Sequence, residues 1–298
     1  MTATSTKAKY LLAAARKMML GQGMNCPSCG SNRSKIVDSK FVVVQLRRCQ
    51  QCGLLHRTPT TAEDESDSFY QSEYAQGFTT DLPNDQQLAQ YLKTGFVKTE
   101  KDYSPYLAVL DAIGANKGDR VLDFGCSWGY GSWQMRTHGF RVDSFEVSHP
   151  RGSFAKEKLG LNVCFSLTEL RGPFDLFFSS HVLEHVPSVA KAIEFAFDVL
   201  KPGGLFVAFT PNGSEHHRRT SFEVWHKLWG IAHPNFLDEV FYQKSFAKIP
   251  HFMSSNQYDL QELAHWRAAN GLQVVSRLEG VELLVVAQKQ PHSPVAAS

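Results

Sequence analysis

No run of apolar residues in this chain comes near the ~20 that a membrane-spanning helix needs, so no spanning segment is expected. Neither sign of charge is in excess: 31 Lys and Arg against 29 Asp and Glu give a formal net charge of +2. No global electrostatic case exists for a nucleic-acid or membrane partner. The first twenty residues lack acids while carrying Lys7, Lys9, Arg16 and Lys17. That composition suits an organellar transit peptide, but a plain amphipathic helix or a frayed terminus is the preferred reading. A secretory signal is not expected, because Arg16 and Lys17 interrupt the apolar stretch. Cysteine is sparse, with six in 298 residues. Without a secretion signal, a reducing cytoplasmic location and metal binding outrank disulfides. No internal repeat is present. The 43% of hydrophobic residues suffice for a sizeable core, in one large domain or a core domain with an attachment.

Four of the cysteines form a pattern. Cys26-Pro-Ser-Cys29 and Cys49-Gln-Gln-Cys52 are knuckles about 19 residues apart, each followed by a glycine, Gly30 or Gly53. Such turns aim two sulfurs at one point, and two knuckles complete a tetrahedral zinc site with no open position. Zinc held by Cys26, Cys29, Cys49 and Cys52 is therefore expected to be structural. Lys35–Ser39 and Phe41–Leu46 read as the two strands of a hairpin between the knuckles.

The chain divides into an N-terminal extension (1–22), the zinc ribbon (23–57), a connector (58–104), a catalytic domain (105–290) with an insertion (213–256), and a tail (291–298). In the connector, Thr60 and Thr61 precede acids in the manner of a helix cap, and Tyr70 and Tyr74 either pack across the junction or close over a cofactor. Ser104–Ile113 has helical spacing and stops at Gly114. From Arg120 strands and helices alternate, which predicts an α/β sheet with crossovers. Expected strands are Arg120–Phe124, Arg141–Glu146, Asn162–Phe165, Phe174–Ser179 and Leu205–Thr210. Gly271–Ser276 and Val281–Ala287 are expected to form a closing antiparallel hairpin.

After the first of these strands comes Val121-Leu-Asp-Phe-Gly-Cys-Ser-Trp-Gly129. A dinucleotide loop would space three glycines as G-x-G-x-x-G under a pyrophosphate. Here Asp123 ends the strand, Gly125 and Gly129 flank Cys126 and Ser127, and the intermediate glycine is missing. A carboxylate would repel pyrophosphate but favour a cationic sulfonium. The stretch resembles the first motif of class I S-adenosylmethionine-dependent methyltransferases. Phe174–Pro187 and Leu200–Ala208 are similar to that family's fourth-strand motif and the turn into its fifth strand. The resemblance covers about residues 105 to 290 and implies a Rossmann-like, mostly parallel sheet. It implies a cofactor site of Asp123, Gly125, Cys126, Ser127, Gly129, Glu146, Ser180 and His181, with Tyr70 and Tyr74 as possible covers and Glu146 on the ribose hydroxyls. Ser127 departs from the family, which often has glycine there. The ribbon, with Arg48, Leu54, Phe69, Tyr70 and Tyr74, is similar to that of bacterial enzymes acting on sugars, cell-surface glycans and natural products.

Ligands of such open sheets bind beyond the carboxyl ends of the strands. That rule points to Ser180 and His181, to Pro211 and Asn212, and to the insertion, read as a lid or wall over an acceptor pocket. His181, then His185, His233 and His251, are candidates for a general base. Methyl transfer to a small molecule, sugar or glycan, at oxygen, is the leading expectation. The alternatives are an RNA methyltransferase gripping nucleic acid through Lys35, Lys40, Arg47, Arg48 and Arg57, and a non-enzymatic binding module.

Overall fold

The computed structural model describes residues 3–60, 81–268 and 272–291. Its centre is an eight-stranded sheet in the order β11-β10-β12-β8-β7-β4-β5-β6. These strands are β4 (Arg120–Phe124), β5 (Arg141–Phe145), β6 (Asn162–Cys164), β7 (Phe174–Ser180), β8 (Leu200–Pro211), β10 (His251–Ser255), β11 (Gln273–Val275) and β12 (Glu282–Gln288). The run from β6 to β8 is parallel, and β12 runs antiparallel to β8. Parallel strands covered on both faces need apolar residues at nearly every position. Neighbours accordingly serve opposite faces. Leu122, Phe177 and Phe206 pack with Ile193 and Phe197 of one helix, while Val121, Phe178 and Val207 pack with Val109 and Leu110 of another.

The helices are α1 (Ala3–Met19), α2 (Asp85–Thr94), α3 (Ser104–Ala112), α4 (Tyr130–His138), α5 (His149–Leu159), α6 (Val189–Val199), α7 (Glu215–Thr220), α8 (Phe222–Leu228), α9 (Glu239–Ser245) and α10 (Leu260–Ala268). None of the described helices is long and apolar enough to cross a membrane. The connector holds α2, which sequence periodicity alone reads only weakly. Asn84 accepts from the Gln87 N–H at 2.8 Å while the Gln87 side chain accepts from the Asn84 N–H at 2.9 Å, a reciprocal cap. The expected cap after Thr60 and Thr61 lies outside the described residues, as do Tyr70 and Tyr74.

The expected closing hairpin is resolved differently. Both strands exist, but β10 lies between them, parallel to β11 and antiparallel to β12. Part of the expected insertion is thus a sheet strand, with Met253 paired to Val285. The earlier part docks elsewhere. A second sheet, β1-β2-β3-β9, joins β1 (Ser34–Lys40), β2 (Val44–Cys49) and β3 (Leu55–Thr58) of the cysteine unit to β9 (Asn235–Phe236) of the insertion. Trp225, Trp229 and Phe236 bury against Val44, Leu46, Leu55 and Ala14 of α1. Arg48 adds an ion pair to the fully buried Asp238 at 2.5 Å. The segment is therefore anchored rather than hinged, and of its residues only Leu228 and His233 line the cavity described below.

Candidate active site

A cavity of about 690 Å³ opens at the carboxyl ends of β4, β5, β7 and β8. Gly125, Ser127, Glu146, Ser180, His181 and Pro211 line it from the strand-end loops, and Tyr103, Tyr106 and Tyr130 line it from the side of α3 and α4. The loop between β4 and α4 is tight. Gly125 has φ +87, and a Cβ there would stand 2.3 Å from a Val182 methyl carbon. Ser127 also adopts a left-handed backbone, φ 53, where L-residues other than glycine, Asn and Asp are uncommon. Its N–H donates to Glu146 Oε2 at 2.8 Å, and its hydroxyl accepts from Arg151 at 3.1 Å. The conformation is thus held by two bonds where the family's usual glycine would adopt it freely.

Glu146 is 5% exposed, and its second oxygen accepts from the Ser148 N–H at 2.7 Å. Burial raises its carboxyl above the ordinary value, against these backbone donors and Arg151. Each oxygen keeps a further lone pair for hydroxyl donors from the cavity. Asp123, expected to face a sulfonium, is turned instead to the Ser132 hydroxyl of α4, which also bonds Ser144. Burial pushes Asp123 up to about 7; the Ser132 bond opposes this and the charge of Glu146 adds to it. Asp123, Cys126 and Gly129 are not on the cavity wall. Cys126 packs beside Trp128, and Gly129 begins α4.

His181 follows β7 with φ 55. Its Nε2 donates to Glu282 Oε2 at 2.6 Å, and its Nδ1 faces Glu184 Oε1 at 3.3 Å. Burial favours the neutral ring, but the two carboxylates prevail and raise His181 to about 10. An imidazolium has no lone pair to accept a proton, so in this arrangement His181 is held as a donor between two carboxylates. Glu282 also accepts from Tyr106 at 2.8 Å and from Tyr258. Sequence reading misses both acids. Glu282 opens an apolar strand, and a lone charge at that place was the available signal; Glu184 sits between His181 and His185 in a stretch read for its histidines.

His185 and His233 meet at the cavity with ring centroids 4.8 Å apart. His251 does not join them. It is fully buried in β10, its Nδ1 donating to the Ile249 carbonyl at 2.9 Å, and burial lowers it toward the neutral form. It is placed by sheet pairing with Ala287, not by the cavity.

Cys26, Cys29, Cys49 and Cys52 converge with all four sulfurs within 4.8 Å of one another. Cys26–Cys52 and Cys29–Cys49 are each 3.5 Å apart, too far for a disulfide and near the ~3.8 Å spacing of thiolates around tetrahedral zinc. The four residues fit that ion. The basic residues of this unit are largely engaged internally. Lys40 bonds the Trp229 carbonyl, Arg47 bonds Ser34 and Gln45, Arg48 pairs with Asp238, and Arg57 is 1% exposed against Tyr10.

A family model described as a methyltransferase domain matches residues 98–277. The 24-methylenesterol C-methyltransferase 3 of Arabidopsis thaliana is 24% identical over 189 residues, covering 53% of this chain and 52% of that protein. The ubiquinone biosynthesis O-methyltransferase of Caulobacter sp. (strain K31) is 32% identical over 107 residues, covering 32% of this chain and 42% of its own length. The chain thus spans about half the length of the curated relatives it matches. A solved plantazolicin methyltransferase, BpumL, in complex with a pentazolic desmethylPZN analogue and S-adenosylhomocysteine, has a TM-score of 0.49 at 9% identity, covering 76% of this chain and 96% of that one.

Proposed function

We propose, since this chain belongs to the methyltransferase-domain family, that it transfers the methyl group of S-adenosylmethionine to an oxygen of a small hydroxylated acceptor such as a sugar, a glycan or a related metabolite. The carrying observation is one cavity with Glu146 among its loop walls and the His181–Glu184–Glu282 cluster beside it. Glu146 would hold the ribose hydroxyls through charge-assisted bonds. The other groups remain for the methyl donor and its acceptor, within a volume typical of small-ligand pockets, roughly 300–1,000 Å³. The reaction is an in-line displacement that needs alignment above all. The acceptor oxygen bonds the methyl carbon, and the carbon–sulfur electron pair leaves with sulfur as a neutral thioether. Oxygen as the acceptor atom agrees with what the Caulobacter relative's name records. Zinc in the four-cysteine site would hold the small sheet together and take no part in the chemistry.

An RNA acceptor is less favoured, because four of the five basic residues that would grip it are turned to intramolecular partners. A pure binding module is disfavoured by an ordered loop and an open cavity. Incubation with labelled S-adenosylmethionine and a metabolite extract, followed by mass spectrometry, tests the reading. Label in a hydroxylated small molecule is expected. Label confined to added RNA, or no binding of S-adenosylhomocysteine, would sink it.

A further inference from the structure

Glu184, His185 and His233 each bring one donor atom into a group whose members all lie within 4.8 Å of one another at the cavity. Glu184 is 1% exposed, and apart from its ion pair with His181 neither of its oxygens has a well-aligned hydrogen-bond donor among the described residues. Its nearest nitrogen neighbours are His181 Nδ1 at 3.3 Å and His185 Nε2 at 3.9 Å. Unfilled lone pairs on a buried carboxylate cost about 1–3 kcal/mol or more, so a missing partner is the first explanation to consider. Both histidines are oriented by carbonyls: His185 Nδ1 lies 2.6 Å from the Ala232 oxygen and His233 Nδ1 lies 2.5 Å from the Leu228 oxygen. A carbonyl can only accept, so each Nδ1 carries a proton and Nε2 is the ring nitrogen left to bind an ion. Metal-binding histidines are fixed in the same way. Asn235 stitches the two ligand-bearing segments together. Its N–H donates to the Glu184 carbonyl at 3.1 Å and its side chain to the Val186 carbonyl at 2.7 Å. Neutralisation of Glu184 by His181 alone would account for one ion pair but not for two further histidines held in one tautomer beside it.

We propose that Glu184, His185 and His233 bind a divalent first-row transition ion whose open positions face the cavity and take the hydroxyl oxygen of the acceptor. Two imidazoles and a carboxylate suit manganese, iron, cobalt or zinc better than calcium or magnesium. At bonds of about 2.1 Å the ligands stand at most about 4.2 Å apart, and Glu184 Oε1 and His185 Nε2 already meet that limit at 3.9 Å. The assignment rests on the methyl-transfer reading. A metal-bound hydroxyl gives its proton to water near neutral pH. Its oxygen then forms the bond to the methyl carbon, and the carbon–sulfur pair departs with sulfur.

The test titrates Mn²⁺ into the full chain with its cysteine site zinc-loaded, following binding by electron paramagnetic resonance. Manganese prefers oxygen and nitrogen donors, so the thiolates do not confuse the reading. One ion per chain with Kd at or below ~100 µM is expected, and Glu184→Gln and His233→Ala should each weaken it by about tenfold or more. S-adenosylhomocysteine affinity in the same samples should change by less than about threefold. No Mn²⁺ uptake by the wild-type chain at ~1 mM, or undiminished uptake by folded variants, overturns the proposal. Failure of the wild type to bind S-adenosylhomocysteine strikes the underlying methyl-transfer reading instead, separately from the Mn²⁺ result.

Discussion

His181 Nε2 lies 2.6 Å from Glu282 Oε2, joining residues 101 positions apart across the end of β7 and the start of β12. With Glu184 on the other ring nitrogen, the imidazole is a cation between two carboxylates. Its folded value of about 10 stands above the ordinary 6.5. A raised value contributes stability that is complete below pH 6.5 and is lost as pH rises through about 10. The ring proton signals of His181 should therefore titrate near pH 10. Denaturant stability should fall between these limits in the wild type and stay flatter in His181→Gln. A midpoint near 6.5 would reject the arrangement.

Glu282→Ala removes one acceptor from His181, Tyr106 and Tyr258 together. Breaking a partly desolvated cluster from one side costs about 3 kcal/mol, read as a drop in urea midpoint without a change of slope. The same variant should lower the His181 titration. A loss below about 0.5 kcal/mol would mean that solvent already satisfies these groups.

Glu146→Ala should weaken S-adenosylhomocysteine binding by roughly ten- to a hundredfold in calorimetry, the worth of charge-assisted bonds to two hydroxyls. Glu146 also ties the N–H groups of Ser127 and Ser148, so a smaller loss of thermal stability should accompany it. An unchanged affinity contradicts the ribose assignment.

Ser127 invites a paired comparison. Ser127→Gly relieves a left-handed backbone but gives up the Arg151 bond, so stability should stay within about 1 kcal/mol of wild type. Ser127→Val keeps the backbone requirement and adds a branched side chain, and should cost about 2 kcal/mol or more by thermal melting. Equal effects would show that the loop does not hold this conformation in solution.

One zinc per chain is expected by metal analysis, and Cys49→Ser should lose it and lower the melting temperature. Structural thiolate sites supply folding energy outright. A chain that melts identically after chelation would show that the small sheet stands without metal.

Much of the parallel half was legible in the sequence. Val121–Phe124 and Phe174–Ser179 are continuous apolar runs because both faces are covered, and the doubled Cys-x-x-Cys knuckles do bring their sulfurs together. What escaped reading depends on distant pairing. His251–Ser255 is a polar-looking strand buried only because β12 and β11 flank it. Glu282 becomes a site residue only when the antiparallel strand returns beside β8. Local pattern reports the side chain's neighbours in sequence, and these groups take their roles from neighbours in space.

The two-residue strand β9 has a larger consequence than its length suggests. Leu55 and His56 pair with Phe236 and Asn235, and Asn235 in turn grips the Glu184 segment. The cysteine unit is thereby a foundation under one wall of the cavity rather than an appendage beside it. Order gained at the four sulfurs is passed through three backbone strands to the loop carrying His233. By reciprocity, whatever tightens that loop would also tighten the hold of the four cysteines on a zinc ion bound there.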